Sequence, residues 1–252
     1  MHTVKLSAVI ITFNEEKNIV RCLDSLIDVV DDIVVVDSFS TDQTPALCAQ
    51  YKVNFVQRPW LGYAAAKNHA NAIAKYDFLL SIDADEALSA ELKEAIIKIK
   101  SDMRLDAYYI SRLTNYCGKW IKHCGWYPEY KIRLWNRTCG EWRGVIHESL
   151  VFHNTVRSGT LKGDLLHYSF YSISDHIHTA DKFSEIAAEE KVKEGFRVNI
   201  IWHLILNPLF TFFQKYILKR GFLDGYYGFV ISIISAFSNF LKYAKIKQKS
   251  QT

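Results

Sequence analysis

Leu6–Thr12 carries no charge and shows no alternation of polar with apolar positions, and runs of the same kind recur at Ile33–Val36, Val53–Val56 and Phe78–Ile82. A strand without alternation is buried on both faces, the condition of a parallel sheet covered by helices rather than of an antiparallel sheet open to water. The stretches between the runs supply those helices. Ile19, Leu23 and Leu26 with Val20 and Ile27 form one apolar stripe, with Asn14 as the expected cap and Glu15 and Glu16 at the positive end of the dipole. Ser40, Thr41 and Asp42 are candidate caps for a second helix through Leu47 and Tyr51, with Pro45 tolerated in its first turn. Tyr63–Ala74 is alanine-rich, and Ser89 precedes a stripe of Leu92, Ile96, Ile97 and Ile99. Residues 5–100 therefore read βαβαβαβα, an α/β fold with a mostly parallel sheet, right-handed crossovers and helices on both faces.

Beyond residue 100 the pattern changes. Tyr108–Ser111, Ile132–Trp135 and Val145–His147 are short strand-like pieces between loops rich in Gly, Trp and Tyr, and five of the six tryptophans lie from Trp60 to Trp142. Flat aromatic faces of this kind suit sugar rings as well as cores. From about Ser172 to Gly195 the chain is charged and helical, and it then enters two uncharged runs, Val198–Gln214 and Gly225–Leu241, of 17 residues each. A spanning helix wants about 20 apolar residues. Both runs also contain breakers or polar groups (His203, Asn207-Pro208, Ser232, Ser235, Ser238, Asn239), so helices lying in a membrane surface are expected rather than spanning ones.

The net charge of +4 hides an asymmetry: from Lys215 onward seven Lys and Arg face one acid, Asp224, a net of +6 that leaves −2 for the rest of the chain. Positive charge interleaved with apolar runs fits an anionic bilayer surface better than a nucleic-acid groove. With 49% hydrophobic and 23% charged residues, 11 Gly and 4 Pro, the composition is globular and excludes disordered and collagen-like classes. A length of 252 residues fits one catalytic core with an appendage. Met1–Ser7 lack the apolar stretch of a secretory signal, so the core is expected in the cytoplasm, where the five cysteines read as free thiols. Cys117, His123, Cys124 and Cys139 contain no C-x2-C pair, which disfavours a zinc site.

In open parallel sheets the ligand lies beyond the carboxyl ends of the strands. Here those ends are Thr12-Phe13-Asn14-Glu15, Asp37-Ser38 and Asp83-Ala84-Asp85. Two carboxylates one residue apart repel unless a cation or hydrogen-bond donors hold them, and their spacing lets one touch a divalent metal while the other takes a hydroxyl. No G-x-G-x-x-G follows the first strand, and neither a P-loop nor a G-x-S-x-G elbow is present, which argues against a dinucleotide enzyme, a P-loop nucleotidase and an α/β-hydrolase. A nucleotide held through carboxylates and metal remains.

Val9–Glu16, Val34–Thr44, Lys67-Asn68-His69-Ala70 and Ile82–Glu86 together resemble the family-2 glycosyltransferases of the GT-A fold, in order and spacing. Gly125–Glu129, Arg133-Leu134-Trp135, Gly144–Glu148, His167-Tyr168 and Arg220–Gly225 resemble the bacterial branch that includes lipopolysaccharide-core β-1,4-glucosyltransferases. The resemblance implies a catalytic domain over residues 1–170, with a nucleotide-sugar half at 1–100 and an acceptor half at 101–170, followed by a helical, amphipathic, membrane-associating extension at 171–252. It implies Thr12 and Asp37 at the uracil with Asn14, Glu15 and Ser38 nearby, Lys67 near the nucleotide, Asp83 on the ribose and beside the metal, and Asp85 on a Mg²⁺ or Mn²⁺ ion with His167 as a further ligand.

The family inverts the anomeric carbon, so one carboxylate must deprotonate the acceptor hydroxyl. Glu148 and Glu129 are the candidates, with Glu148 favoured; Glu129 could instead position the acceptor or pair with Arg133. Family members commonly carry an acidic pair where this chain has His147-Glu148. The implied activity is transfer of a hexose such as glucose from a UDP-sugar to a lipopolysaccharide-core or other membrane-linked glycan, by an enzyme held peripherally on the inner face of the cell membrane. The alternatives are a polyprenyl-phosphate acceptor, which needs no proton-abstracting base, and a non-catalytic nucleotide-sugar binding protein.

Overall fold

A computed structural model of the chain describes residues 3–144 and 148–251; the strand-like piece expected at Val145–His147 lies outside the described residues. The chain divides into two units, Met1–Arg112 with Glu129–Tyr168, and Leu113–Pro128 with Ser169–Thr252.

In the first unit the apolar runs are strands β1 (Leu6–Thr12), β2 (Asp32–Asp37), β3 (Asn54–Gln57) and β4 (Phe78–Asp83), with helices α1 (Ile19–Leu26), α2 (Thr44–Cys48) and α3 (Tyr63–Ile73) between them. β1 lies between β2 and β4 and parallel to both, with β3 beyond β2. Two hydrophobic cores explain the lack of alternation. Leu6, Ala8 and Ile10 pack with Ile19, Leu23 and Leu26 of α1, whereas Val9, Val34 and Val36 pack with Ala64 and Ala70 of α3. Ser89 caps α4 (Ala90–Lys100), its Oγ accepting the Leu92 amide at 3.2 Å.

Asn14 does not cap α1. The helix begins at Ile19, after a turn in which the Glu15 carbonyl accepts the amides of Asn18 and Ile19 at 2.9 Å each. Asn14 instead sits in the left-handed region at φ 55°, which Asn tolerates better than most residues. There its Oδ1 accepts the Thr41 amide and its own amide donates to Ser40 Oγ, both at 2.8 Å, fastening the loops after β1 and β2 to each other.

Beyond β4 the sheet also takes antiparallel pairs. β5 (Glu86–Leu88), β6 (Ala107–Tyr116), β7 (Lys119–Ile121), β8 (Glu129–Asn136) and β11 (Ser158–Phe170) complete it in the order β3-β2-β1-β4-β8-β6-β11-β5, with β7 on β6, while β9 (Gly140–Arg143) and β10 (Ser149–Phe152) form a separate pair. β11 was missed in the sequence because its first half, Ser158–Asp164, is mostly polar and contains two glycines.

In the second unit Ser172 opens α5 (Ile173–Lys193) through a reciprocal cap with Asp175, at 3.1 and 2.8 Å. The first uncharged run is α6 (Asn207–Phe213) flanked by π-helical turns at Ile200–Leu206 and Gln214–Leu218, and the second opens α7 (Gly225–Lys249). Pro208 stands in the first turn of α6, where its missing N–H costs least. The runs are clasped by Asn239, which donates to Thr211 Oγ1 at 2.7 Å. Gly221–Lys249 contains an 18-residue window with a mean hydropathy of 1.3 and is long and apolar enough to cross a membrane by length and composition. Ile201, Leu209, Phe210, Leu218, Leu223 and Tyr226 are each more than half exposed. Part of the basic tail is neutralised within the unit: Lys245 pairs with Asp181 and Glu185 at 2.7 and 3.2 Å, and Lys249 with Glu185 at 2.7 Å. All five cysteines are free, and Cys139 falls in the first unit while Cys117, His123 and Cys124 fall in the second.

His176 gives this unit a pH dependence. It is buried beside Tyr116, whose hydroxyl lies 3.0 Å from Nδ1, and burial, aided by the charge of Lys215, pushes the imidazole down to about 4. Above the unfolded value of about 6.5 both states are neutral and nothing is lost; as pH falls toward about 4 the unfolded chain takes the proton first, so stability falls by up to about 1.4 kcal/mol per pH unit. Thermal unfolding at pH 7 and pH 5 is expected to show a larger drop for the wild type than for His176→Gln. Equal drops would mean that His176 does not titrate as its burial requires.

Candidate active site

β1, β2 and β4 end side by side, Thr12 opposite Asp37 and Ile11 opposite Asp83, so the polar residues following them share one sheet edge. Thr12 is buried; its carbonyl accepts the Ser38 amide at 2.9 Å, and its Oγ1 has no partner among the described residues. Asp37, fully buried, accepts the Ser40 amide and Gln57 Nε2 at 2.9 Å each and a short hydrogen bond from the Ser40 hydroxyl. The Glu15 carboxylate accepts from Asn18 Nδ2 at 2.8 Å. Burial pushes that carboxyl up, Asn18 opposes the shift, and the negative charges of Asp85, Asp42 and Asp83 add to it.

Asp83 is held by two cations. Its Oδ2 accepts Arg133 Nη2 at 2.7 Å and its Oδ1 lies 3.4 Å from Lys67 Nζ. Burial works against its charge, but Arg133 and then Lys67 outweigh it and hold the carboxyl well below the usual range. The same Arg133 nitrogen donates at 2.7 Å to Glu86, which is fully buried, accepts the Asp83 amide at 2.9 Å and lies 3.7 Å from Arg112.

Asp85 and His167 come together through the pairing of β5 with β11, in which His167 stands opposite Glu86. His167 Nε2 is 3.1 Å from Asp85 Oδ2, and the Tyr168 amide donates to the Asp85 carbonyl at 2.9 Å. Burial disfavours charge on His167, but its hydrogen bond to Asp85 and the negative charge there prevail and raise its pKa. Of the three expected metal ligands, Asp85 and His167 are thus adjacent, whereas Asp83 is turned onto Arg133 and Lys67. Among the described residues no group of three or more His, Cys, Asp or Glu is arranged to hold a metal ion. The carboxylate suits Mg²⁺ or Mn²⁺ when further oxygens complete the shell, and a diphosphate carries such oxygens; the imidazole beside it fits the softer Mn²⁺ better than Mg²⁺.

Lys67 joins the two expected halves of the site. It is buried on α3 with Nζ 3.1 Å from Glu148 Oε1 and 4.6 Å from the centroid of the Trp142 ring. One turn earlier Tyr63 meets Trp60 edge to face at 4.7 Å. Burial raises the Tyr63 hydroxyl, and the charges of Glu148, Asp83 and Asp85 contribute. Glu129 is occupied differently, with Arg112 at 2.6 Å and Lys131 at 3.0 Å; the expected pairing with Arg133 does not form, because Arg133 is taken by Asp83 and Glu86. Burial opposes its charge, yet Arg112 and Lys131 prevail and lower the Glu129 carboxyl.

Sequence reasoning missed Glu86, Arg112, Arg133 and Trp142 as parts of the site. Arg133 carried a signal, since an arginine within the apolar piece Ile132–Trp135 needs a carboxylate partner if it is buried.

Residues 7–156 match the model of Glycosyl transferase family 2. An uncharacterized glycosyltransferase of Rickettsia typhi is 35% identical, over 98% of this chain and 88% of its own length. The lipopolysaccharide core biosynthesis glycosyltransferase LpsC of Rhizobium meliloti is 30% identical, over 97% of this chain and 92% of its own. Among solved structures, S. aureus TarS 1-349 matches with a TM-score of 0.47 at 15% identity, over 98% of this chain and 92% of that one. With a family match over more than half of its length and near-full-length relatives of the same kind, the chain belongs to glycosyl transferase family 2 and is a glycosyltransferase with a GT-A-like fold.

Proposed function

We propose that this glycosyltransferase moves a hexose such as glucose from a UDP-sugar to a membrane-linked glycan, with inversion and with a divalent metal. The observation that carries the reading is Lys67, which bridges Asp83 and Glu148 at the edge where Asp85 meets His167. The nucleoside end of the donor lies at Thr12, Asn14, Glu15, Asp37 and Ser38, where the buried Thr12 Oγ1 is free to bond to it. Asp83 orients the ribose, itself fixed by Arg133. Asp85 and His167 are the residues that would hold Mg²⁺ or Mn²⁺, which when bound offsets the negative charge developing on the departing diphosphate. Glu148 takes the proton of the acceptor hydroxyl. Lys67 holds one of its oxygens, and the other has no partner among the described residues. Glu129, held by two cations, is the poorer proton acceptor and serves to position the acceptor side.

The acceptor class rests on the resemblance to LpsC, whose name assigns it to lipopolysaccharide core biosynthesis. The exposed apolar residues of α6 and α7 and the excess of basic residues beside them support peripheral attachment to the inner face of the cell membrane.

Titration calorimetry with UDP tests the site. The wild type is expected to bind UDP more tightly with Mn²⁺ than without, and Asp85→Ala to lose about 10- to 100-fold of the metal-dependent affinity. Metal-independent binding by the wild type together with unchanged binding by Asp85→Ala would reject it. Metal-dependent hydrolysis of a panel of UDP-sugars then identifies the donor.

A further inference from the structure

The hexapeptide Arg220-Gly221-Phe222-Leu223-Asp224-Gly225 has no part in the transfer chemistry above, and only half of it is explained by packing within its own unit. Gly221 has no room for a Cβ, which would stand 2.8 Å from both Cys124 Sγ and the Lys215 carbonyl. Asp224 is buried and accepts the Lys122 and His123 amides at 3.3 and 2.8 Å, with His123 Nδ1 at 3.0 Å. Gly225 takes a φ of 62°. Arg220, Phe222 and Leu223 are exposed instead, and Arg220 holds a left-handed φ of 53° that is uncommon for a residue with a side chain.

Cations surround this turn. Lys119 Nζ donates to the Asp224 carbonyl at 2.7 Å and Lys215 Nζ to the Cys124 carbonyl at 3.4 Å, while the Lys219 side chain lies 3.6 Å from a Cβ built on Gly125. Lys122, Lys219 and Arg220 have no acidic partner among the described residues, and the one acid within the turn is already spent on amides and His123. Burial lowers the pKa of Lys215 against the opposing charge of Cys124, and the charge of Lys219 adds a smaller push in the same direction. The far end of α7 differs, since Lys245 and Lys249 there are matched by acids of α5. Like charges held within a Debye length repel, and an anion seated among them relieves the repulsion. Leu218, Phe222 and Leu223 in and beside this turn are each 46% exposed or more, and an apolar border beside a cluster of cations suits an anion carried on a lipid rather than a free one.

We propose that the turn at 219–225 together with Lys122 is a binding site for the phosphate headgroup of an anionic membrane lipid, with Phe222 and Leu223 entering the acyl region. The inference rests on the membrane attachment proposed above and adds a defined lipid contact to it.

Flotation of the full chain with vesicles of about seven parts phosphatidylcholine to three parts phosphatidylglycerol, against phosphatidylcholine alone, tests both levels separately. The wild type is expected to float with the anionic vesicles, and the double variant Lys219→Gln/Arg220→Gln to bind them about thirty-fold more weakly, at about five-fold per direct cation contact. Lys122→Gln, which leaves the backbone of the turn alone, is expected to lose about five-fold. The pair Lys242→Gln/Lys247→Gln, equal in charge but outside the turn, is expected to lose less than about three-fold. Equal losses in the two double variants, or none in Lys122→Gln and Lys219→Gln/Arg220→Gln, overturn the site while leaving membrane attachment standing. Failure of the wild type to float with either vesicle overturns the attachment and the site together. Displacement of the wild type by inorganic phosphate, beyond that by chloride at equal ionic strength, overturns the lipid as the source of the anion.

Discussion

Glu148→Gln is expected to lower kcat for hexose transfer by about 10²- to 10⁴-fold, the range removed when a positioned general base is lost. Glutamine keeps the length and the carbonyl oxygen that faces Lys67 but cannot accept the acceptor's proton. Lys67 retains Asp83 at 3.4 Å, so the donor side keeps its cation and affinity for UDP should change little. The measurement is transfer of labelled hexose from a UDP-sugar into the membrane fraction, alongside UDP affinity by calorimetry. Loss of kcat with preserved UDP binding assigns the base. Full activity would overturn Glu148 as base and favour a phosphate acceptor, which is already ionised and needs none. Glu129→Gln is the internal comparison. Its carboxylate is held by Arg112 and Lys131, so its loss should disturb acceptor binding more than the proton transfer step.

The parts of this arrangement that were legible in the sequence are those with short-range causes. Uncharged runs buried on both faces gave β1, β2 and β4, and with them the shared edge carrying Thr12, Asp37 and Asp83. What was not legible depends on antiparallel pairing between distant segments. His167 reaches Asp85 only because β11 pairs with β5 in one register, and neither the polar first half of β11 nor a three-residue strand carries a strong pattern. Asn14 was misread for a different reason: an Asn after a strand serves equally as a helix cap or as a loop staple, and local sequence does not separate the two. The tail's charge was counted correctly but not its use, because the acids of α5 that neutralise Lys245 and Lys249 lie about 60 residues earlier in the chain.

Arg133→Met is expected to cost about 3–5 kcal/mol of stability, the loss found when one member of a buried ion cluster is removed. One guanidinium nitrogen satisfies two carboxylates, Asp83 and the fully buried Glu86, each at 2.7 Å. Methionine fills similar space and leaves both negative charges in place, with Arg112 at 3.7 Å and Lys67 at 3.4 Å as the remaining cations. Asp83 has 30% of its side chain exposed and can recover some hydration, whereas Glu86 has none exposed, so most of the cost should trace to Glu86. Glu86→Gln added to Arg133→Met should therefore restore about 2 kcal/mol or more, and the two substitutions should be strongly non-additive in urea unfolding. Additivity within about 0.5 kcal/mol would mean that Arg133 acts through packing rather than through the buried carboxylate. The same cycle bears on function. Arg133 holds Asp83 Oδ2 at 2.7 Å, so a double variant that folds yet releases Asp83 should bind UDP with altered dependence on Mn²⁺, whereas one in which Asp83 stays on Lys67 should not.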